Sequence, residues 1–212
     1  MRKIKILYVT HHWKNNSHHS KFGGYQRLVD YLPKKIIEPT VLTWGNENKI
    51  MYNENIRVII KKIPKHFKFL FKRLFLIYHS SKISKNYDLV HALYDDVAPY
   101  KSSKPLITTF HTTKELDKDS FWLKLRFIYQ YHTIKKSSAV IVLSNNMKNI
   151  LSKHVNNKKI FVIPHGIDTN YFKPIKGVDK DLTNLKKSYG KIILCIGNYG
   201  TDFDKLINFA KE

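Results

Sequence analysis

Short hydrophobic runs alternate with longer amphipathic stretches along the 212-residue chain. Several runs, such as residues 139–143, are unbroken series of Ala, Val, Ile and Leu, which is typical of strands that helices cover on both faces. Strands that alternate with helices form strand–helix–strand units on a parallel sheet. The sequence therefore predicts an open, mostly parallel α/β sheet. Its strands are expected at residues 4–10, 40–44, 56–60, 88–93, 106–110, 139–143, 160–163 and 192–196.

Two glycines precede the first predicted helix. Apolar residues recur with helical spacing over residues 25–32, so a helix is expected to begin at or just after Gly23–Gly24 and to end before Pro33. In an open α/β sheet, ligands bind beyond the carboxyl ends of the strands, and the N–H groups of a helix N-terminus bind phosphate. The alternative is a turn in which one glycine adopts a positive φ. Neither a dinucleotide fingerprint nor a P-loop is present, and both interpretations stay open.

His111 directly follows the strand predicted at residues 106–110, and is expected at the same edge of the sheet as Gly23 and Gly24. An imidazole there could contact a sugar hydroxyl or move a proton. The alternative is a capping or loop histidine, since the chain has 11 histidines. Ser144, which follows the strand at residues 139–143, is expected to cap a helix that runs to residue 151.

Composition and charge narrow the class of protein. Hydrophobic residues make up 42% of the chain, which is enough for a folded core despite a net charge of +22. The length allows one full domain and part of a second, or two small domains. Because Cys195 is the only cysteine, an internal disulfide framework and a Cys-rich zinc module are excluded, and a reducing compartment is favoured. No signal peptide or membrane-spanning segment is evident, so a cytoplasmic location is expected.

A cationic amphipathic helix is expected between residues 61 and 85. The favoured interpretation is that its apolar stripe packs on the sheet and leaves its lysines in solvent. The alternative is a helix that rests on anionic lipid. The stripe consists of Phe67, Leu70, Phe71, Leu74 and Tyr78, and the candidate membrane contacts are Lys65, Lys68, Lys72 and Arg73.

The charge also brings nucleic-acid binding into consideration. The basic residues are spread along the chain without a nucleic-acid-binding motif, so no nucleic-acid partner is expected. The histidine pairs at 11–12 and 18–19 lack acidic or Cys partners at a clear spacing, and no metal site is predicted. Asp95 and Asp96 could form a carboxylate pair for a divalent ion, but they are expected to be surface charge.

Several segments, taken in chain order, resemble glycosyltransferase family 4. AVIVLS at residues 139–144 is followed by KIFVIPHGID at 159–168 and YFKP at 171–174. Three further segments fall where that family has its glycine loop, its histidine and the first strand of its second domain: Gly23–Gly24, the Thr-Phe-His stretch that ends at His111, and KIILCIG at 191–197.

The resemblance implies a GT-B fold, in which two Rossmann-like domains face each other across a cleft. The first domain mainly holds the acceptor and the second mainly holds the donor, and this chain supplies the first. By the same resemblance, backbone N–H groups near Gly23 and Gly24 face the donor diphosphate and His111 lies near the transferred sugar. Ser144 and Asn145 match positions that line the cleft.

The resemblance also implies the activity and its partners. Family members usually transfer a sugar with retention of its anomeric configuration and need no obligatory metal. The expected substrates are a nucleotide sugar, such as a UDP- or GDP-sugar, and a glycan or lipid-linked acceptor, and no cofactor is expected. These substrates suit cell-surface polysaccharide biosynthesis at the inner face of the membrane, to which the protein would be peripheral.

The sequence departs from the family pattern in two places. His165 stands where the family more often has asparagine, and no basic pair or paired-glutamate motif follows Gly197. We therefore expect an acceptor-side domain at 1–175, a linker at 176–190 and the first strand and helix of a truncated donor-side domain at 191–212. The alternatives to a complete transferase are a non-catalytic acceptor- or membrane-binding module and one half of a split enzyme with a separate donor domain.

Overall fold

The computed structural model describes residues 2–11, 13, 28–29, 31–53, 55–64, 69–111, 121–166, 169 and 180–189. The chain divides into two compact units, Met1–Gly166 and Ile167–Glu212. The described part of the second unit contains one helix, Lys180–Tyr189. The predicted domain boundary after residue 175 and the elements expected at 191–212 lie outside the described residues, so they stay predictions.

The first unit is an eight-stranded sheet with helices packed against it. The strand order is β3-β4-β2-β1-β5-β6-β7-β8. All neighbouring strands are parallel except β3 and β4, which confirms the open, mostly parallel sheet. The strands are β1 (Ile4–Val9), β2 (Ile37–Gly45), β3 (Lys49–Asn53), β4 (Ile56–Lys62), β5 (Leu89–Ala92), β6 (Leu106–Phe110), β7 (Ala139–Val142) and β8 (Ile160–Val162); the helices are α1 (Phe69–Ile83), α2 (Phe121–Lys136), α3 (Asn145–Ser152) and, in the second unit, α4 (Lys180–Tyr189).

Hydrophobic side chains of β1 pack on both faces of the sheet. Leu7 and Val9 lie in one buried cluster with Leu76 of α1. Ile6, on the opposite face, lies in another cluster with Val29, a helical residue between β1 and β2. Each fully buried aliphatic side chain contributes about 1.5–3 kcal/mol to folding. The unbroken apolar runs therefore reflect a sheet that helices cover on both faces, as predicted.

Strand β3 was not expected from the sequence. It pairs antiparallel with β4 at the edge of the sheet. Ile50 is 54% exposed and Tyr52 is 72% exposed. Because an edge strand buries little of its surface, it needs no continuous apolar run, and its sequence carries a weak strand signal.

The expectation that the apolar stripe of α1 packs on the sheet is wrong for Phe71, Leu74 and Tyr78, while Phe67 and the side chain of Leu70 lie outside the described part of the chain. Phe71, Leu74 and Tyr78 are 52%, 48% and 60% exposed. The helix instead packs through a face that contains Leu76 and small polar residues, including fully buried Ser80. The hydroxyl of Ser80 donates a hydrogen bond to the carbonyl of Ile77 at 3.0 Å. Since that bond satisfies the serine within its own helix, a polar residue occupies the buried face at little cost.

Candidate functional site

The order of the strands places a topological switch point at β1. From β1 the chain first builds the sheet in one direction through β2, and later in the other direction through β5. Ligands of open α/β sheets bind at the carboxyl ends of the strands beside such a point. The residues that follow β1, β5 and β6 therefore form the candidate site.

A row of aromatic and imidazole rings runs along this edge. It crosses the carboxyl ends of β2, β1, β5, β6 and β8, and consecutive ring centroids are separated by 5.8, 4.2, 4.7 and 5.4 Å. Rings at these distances are in van der Waals contact. We call the set the ring row, and its members in order are Trp44, His11, Tyr94, His111 and His165.

His111 has a defined protonation pattern within the ring row. Its Nε2 lies 2.9 Å from the carbonyl oxygen of Leu93. Because a carbonyl only accepts, Nε2 carries the proton, and in the neutral ring Nδ1 holds the lone pair. Burial lowers the pKa of His111; the bond to Leu93 opposes this effect, and the charge of His165 lowers the pKa further. His111 is therefore neutral at pH 7, with a lone pair on Nδ1 that can accept a hydrogen bond.

Asp96 connects helix α1 to the ring row. One carboxylate oxygen, Oδ2, lies 2.9 Å from Nη1 of Arg73 on α1. The other, Oδ1, lies 3.7 Å from Nδ1 of His11. Side-chain exposure is 6% for Asp96, 6% for His11 and 15% for Arg73. The expectation that Asp95 and Asp96 are surface charge is therefore wrong, because a guanidinium 23 residues earlier in the chain compensates for the burial of Asp96.

The turn that carries these carboxylates, Asp95–Val97, is also anchored to α2. Gln130 donates a side-chain hydrogen bond to Asp95, and the hydroxyl of Tyr129 donates one to the carbonyl of Ala98. Burial raises the pKa of Tyr129, and the charges of Asp96 and Asp95 raise it further, while a hydrogen bond with Thr133 opposes them. The end of β5 is thus held by α1 on one side and by α2 on the other.

A family model, Glycosyltransferase Family 4, matches residues 25–171. This match covers more than half of the chain and includes His111, Ser144 and His165 of the candidate edge. The chain belongs to glycosyltransferase family 4. The membership predicted from the sequence motifs is confirmed.

Solved structures show the same fold at low sequence identity. Two structures of sucrose-phosphate synthase from Thermosynechococcus elongatus match with 14% identity and TM-scores of 0.54 and 0.59, covering 88% and 90% of this chain and 99% and 53% of theirs. HepE from Anabaena, in complex with UDP and glucose, matches with 17% identity and a TM-score of 0.55, covering 88% of this chain and 50% of that one. This family 4 chain thus spans about half the length of the longer structures. No curated protein matches the sequence.

Ser144 and Asn145 lie at the same edge of the family 4 sheet, after β7. Ser144 is the N-cap of α3, as predicted, and its hydroxyl accepts a hydrogen bond from the N–H of Met147 at 3.3 Å. Both residues are exposed, so they are accessible to a ligand. Their predicted part in donor binding stays a prediction.

The remaining predicted site residues have different outcomes. Gly23, Gly24, Lys65 and Lys68 lie outside the described residues. Lys72 is partly exposed on α1. Arg73, predicted as a membrane contact, instead directs its guanidinium to the buried carboxylate of Asp96.

Two site residues of the family 4 chain, Tyr94 and Asp96, were missed by sequence reasoning. Asp96 was expected to be surface charge and Tyr94 was not considered, whereas His11 was placed in the candidate segment after the first strand but given no role of its own there. Each comes within four residues of the carboxyl end of a predicted strand, and that position is the signal that could have identified them.

His91 lies within the sheet and is not a member of the ring row. His91 is buried in the sheet, where its Nε2 lies 2.9 Å from the hydroxyl of Thr109, and burial lowers its pKa to about 4.

Among the described residues, no group of three or more His, Cys, Asp or Glu side chains could hold a metal ion. In the same part of the chain, no helix is long and apolar enough to cross a membrane.

Proposed function

We propose that this family 4 chain takes part in the transfer of a sugar, with retention of configuration, from a nucleotide sugar to a glycan or lipid-linked acceptor. The observation that carries the proposal is the position of neutral His111 in the ring row at the switch point. Rings suit the apolar face of a sugar, and the lone pair of an imidazole suits its hydroxyl groups.

The donor half of the proposal depends on phosphate recognition. The resemblance assigns the N–H groups near Gly23 and Gly24 to the donor diphosphate, and it assigns Ser144 and Asn145 to the cleft. The nucleotide is proposed as a UDP- or GDP-sugar, consistent with a matched structure that holds UDP and glucose. The proposed leaving group is then stabilised by backbone dipoles and cationic groups rather than by a cofactor.

The acceptor half of the proposal includes a membrane surface. Phe71, Leu74 and Tyr78 recur at i, i+3 and i+7 on α1, and continuation of this spacing reaches Lys82, which is exposed near the end of the helix. Apolar and aromatic side chains beside lysines are the composition of helices that bind anionic lipid. Each lysine near such a surface contributes about 1 kcal/mol. We call this set the outer face of α1.

Calorimetry with UDP, GDP and their sugar conjugates tests the donor part. The proposal predicts dissociation constants between about 1 μM and a few mM, or roughly −8 to −4 kcal/mol. His111→Ala is compared with His154→Ala, which removes an exposed imidazole at the end of α3.

Release of UDP or GDP in the presence of lipid-linked acceptors tests transfer. The proposal predicts that His111→Ala lowers the rate of nucleotide release by at least about a hundredfold, within the range for removal of a group that acts in proton transfer. His154→Ala should leave this rate unchanged. Acceptor binding without nucleotide binding or release would instead identify an acceptor-binding module.

A further inference from the structure

The immediate surroundings of His11 are those of a bound cation. Nδ1 of His11 lies 3.7 Å from Oδ1 of Asp96, which is too long for a hydrogen bond but close for an ion pair. The imidazole also lies between two aromatic rings, with centroid distances of 4.2 Å to Tyr94 and 5.8 Å to Trp44. A carboxylate and the π systems of neighbouring rings both favour the protonated form of an imidazole.

Two effects oppose that charge. His11 is buried, and Arg73 brings a second positive group to the same carboxylate. Arg73, however, faces Oδ2 of Asp96 while His11 faces Oδ1, so each cation has its own oxygen. The carboxylate of Asp95, on the neighbouring residue, is buried as well and adds negative potential.

The pKa values of two neighbouring tyrosines also reflect negative charge beside His11. Burial and, to a smaller extent, the charge of Asp96 raise the pKa of Tyr94 to about 12. The pKa of Tyr129 is likewise raised by Asp96 and Asp95 in addition to burial. The two carboxylates are therefore close enough to Tyr94 and Tyr129 to act on them electrostatically.

We propose that His11 is a positioning residue that carries an imidazolium charge, held by Asp96, and that this charge supports binding of an anionic phosphate ligand at the carboxyl end of β1. Without it, Arg73 would be the one cation paired with the buried carboxylates of Asp95 and Asp96 among the groups described above, and the remaining negative charge would repel a diphosphate at this edge. The phosphate ligand rests on the proposed function, whereas the charge state of His11 does not.

NMR titration of the histidine side chains in the ¹⁵N-labelled full chain tests the charge. The signal of His11 is assigned with His11→Gln. In the wild type, His11 is expected to remain protonated at pH 7. Asp96→Asn is expected to lower its proton affinity at least about tenfold, the smallest effect typical of a close opposite charge, and Arg73→Gln to raise it. Glu38→Gln removes an exposed carboxylate at the amino end of β2, away from the carboxyl ends of the strands. This variant should leave the proton affinity of His11 unchanged.

Once the signal is assigned, the wild-type titration decides the charge of His11. A neutral His11 at pH 7 would overturn the proposal, as would a proton affinity that is the same in folded Asp96→Asn. If Asp96→Asn does not fold, the wild-type titration and the opposite shift in Arg73→Gln keep the test complete.

Binding of UDP-glucose at pH 6 and pH 8 tests the consequence, because the diphosphate of this ligand keeps its charge over that range. We expect His11→Gln to bind UDP-glucose about tenfold more weakly at pH 6 and to lose part of the pH dependence of that binding. His154→Gln should keep the wild-type affinity and the wild-type pH dependence. Equal binding by His11→Gln and wild type would contradict the role in ligand binding. If UDP-glucose does not bind the wild type at all, the proposed function fails, whereas the charge of His11 is judged by NMR alone.

Discussion

The guanidinium of Arg73 on α1 lies 2.9 Å from the carboxylate of Asp96, which follows β5, and both side chains are shielded from solvent. Because 22 residues separate the two in sequence, their ion pair fixes α1 to the strand-end edge. Asp96 also faces His11, so this one carboxylate links the helix to the ring row.

The first prediction concerns the stability that this ion pair provides. Arg73→Met leaves a buried carboxylate without its guanidinium, and we expect it to lower the free energy of unfolding by about 3 kcal/mol. Arg2→Met is the matched control, since Arg2 pairs with Asp88 at 2.7 Å but is 76% exposed, and exposed pairs contribute little. Urea unfolding measures both variants. Equal midpoints for the two would show that the buried pair is not a stabilising link.

The second prediction concerns the loss of stability in acid. The pKa of His91 is lowered to about 4 in the folded chain and is about 6.5 in the unfolded chain. The unfolded state therefore takes up a proton first, and stability that is present above pH 6.5 is lost between pH 6.5 and 4, by about 3 kcal/mol.

His91→Gln removes this titration and should make the fall in stability over that range correspondingly smaller. Urea unfolding at several pH values between 7 and 4 measures it. An unchanged pH profile in His91→Gln would mean that other groups cause the acid sensitivity.

The third prediction concerns the outer face of α1. Leu74→Ser should weaken binding to vesicles of phosphatidylglycerol and phosphatidylcholine by about tenfold or more, because insertion of an aliphatic side chain contributes at least about 1.5 kcal/mol. Ile128→Ser, at an exposed position of α2, should bind like the wild type. Sedimentation with vesicles at low and high salt measures this, with binding expected to weaken as salt rises. If both variants bind alike, α1 is not the contact surface.

The fourth prediction separates two roles of Ser144. As the N-cap of α3, it should cost about 1 kcal/mol of stability when replaced by alanine, and Ser144→Asn should restore that stability because asparagine caps equally well. A residue that contacts the donor through its hydroxyl should lose nucleotide affinity in both variants. Thermal unfolding and calorimetry together distinguish these outcomes, and full affinity in Ser144→Asn would leave Ser144 a helix cap alone.

Most of the sheet could be predicted because its inner strands are covered on both faces and require unbroken apolar runs. The position of His111 followed for the same reason, since it comes directly after such a run. The ring row could not be predicted, because it depends on the order in which strands pair rather than on the order in which they occur. The surroundings of Asp96 depend on Arg73 in a distant helix, and the hydrophobic pattern of α1 gave the wrong face because small serines occupy its buried side.

A nucleotide sugar is proposed to bind at the ring row. Titration of the ¹⁵N-labelled chain with UDP-glucose, followed at the histidine side chains, tests this binding site. We expect saturable shifts at His11, His111 and His165, and unchanged signals at His132 and His154, which lie on or beside α2 and α3 away from the ring row. Shifts confined to His132 and His154, or no saturable shift at any histidine, would contradict it.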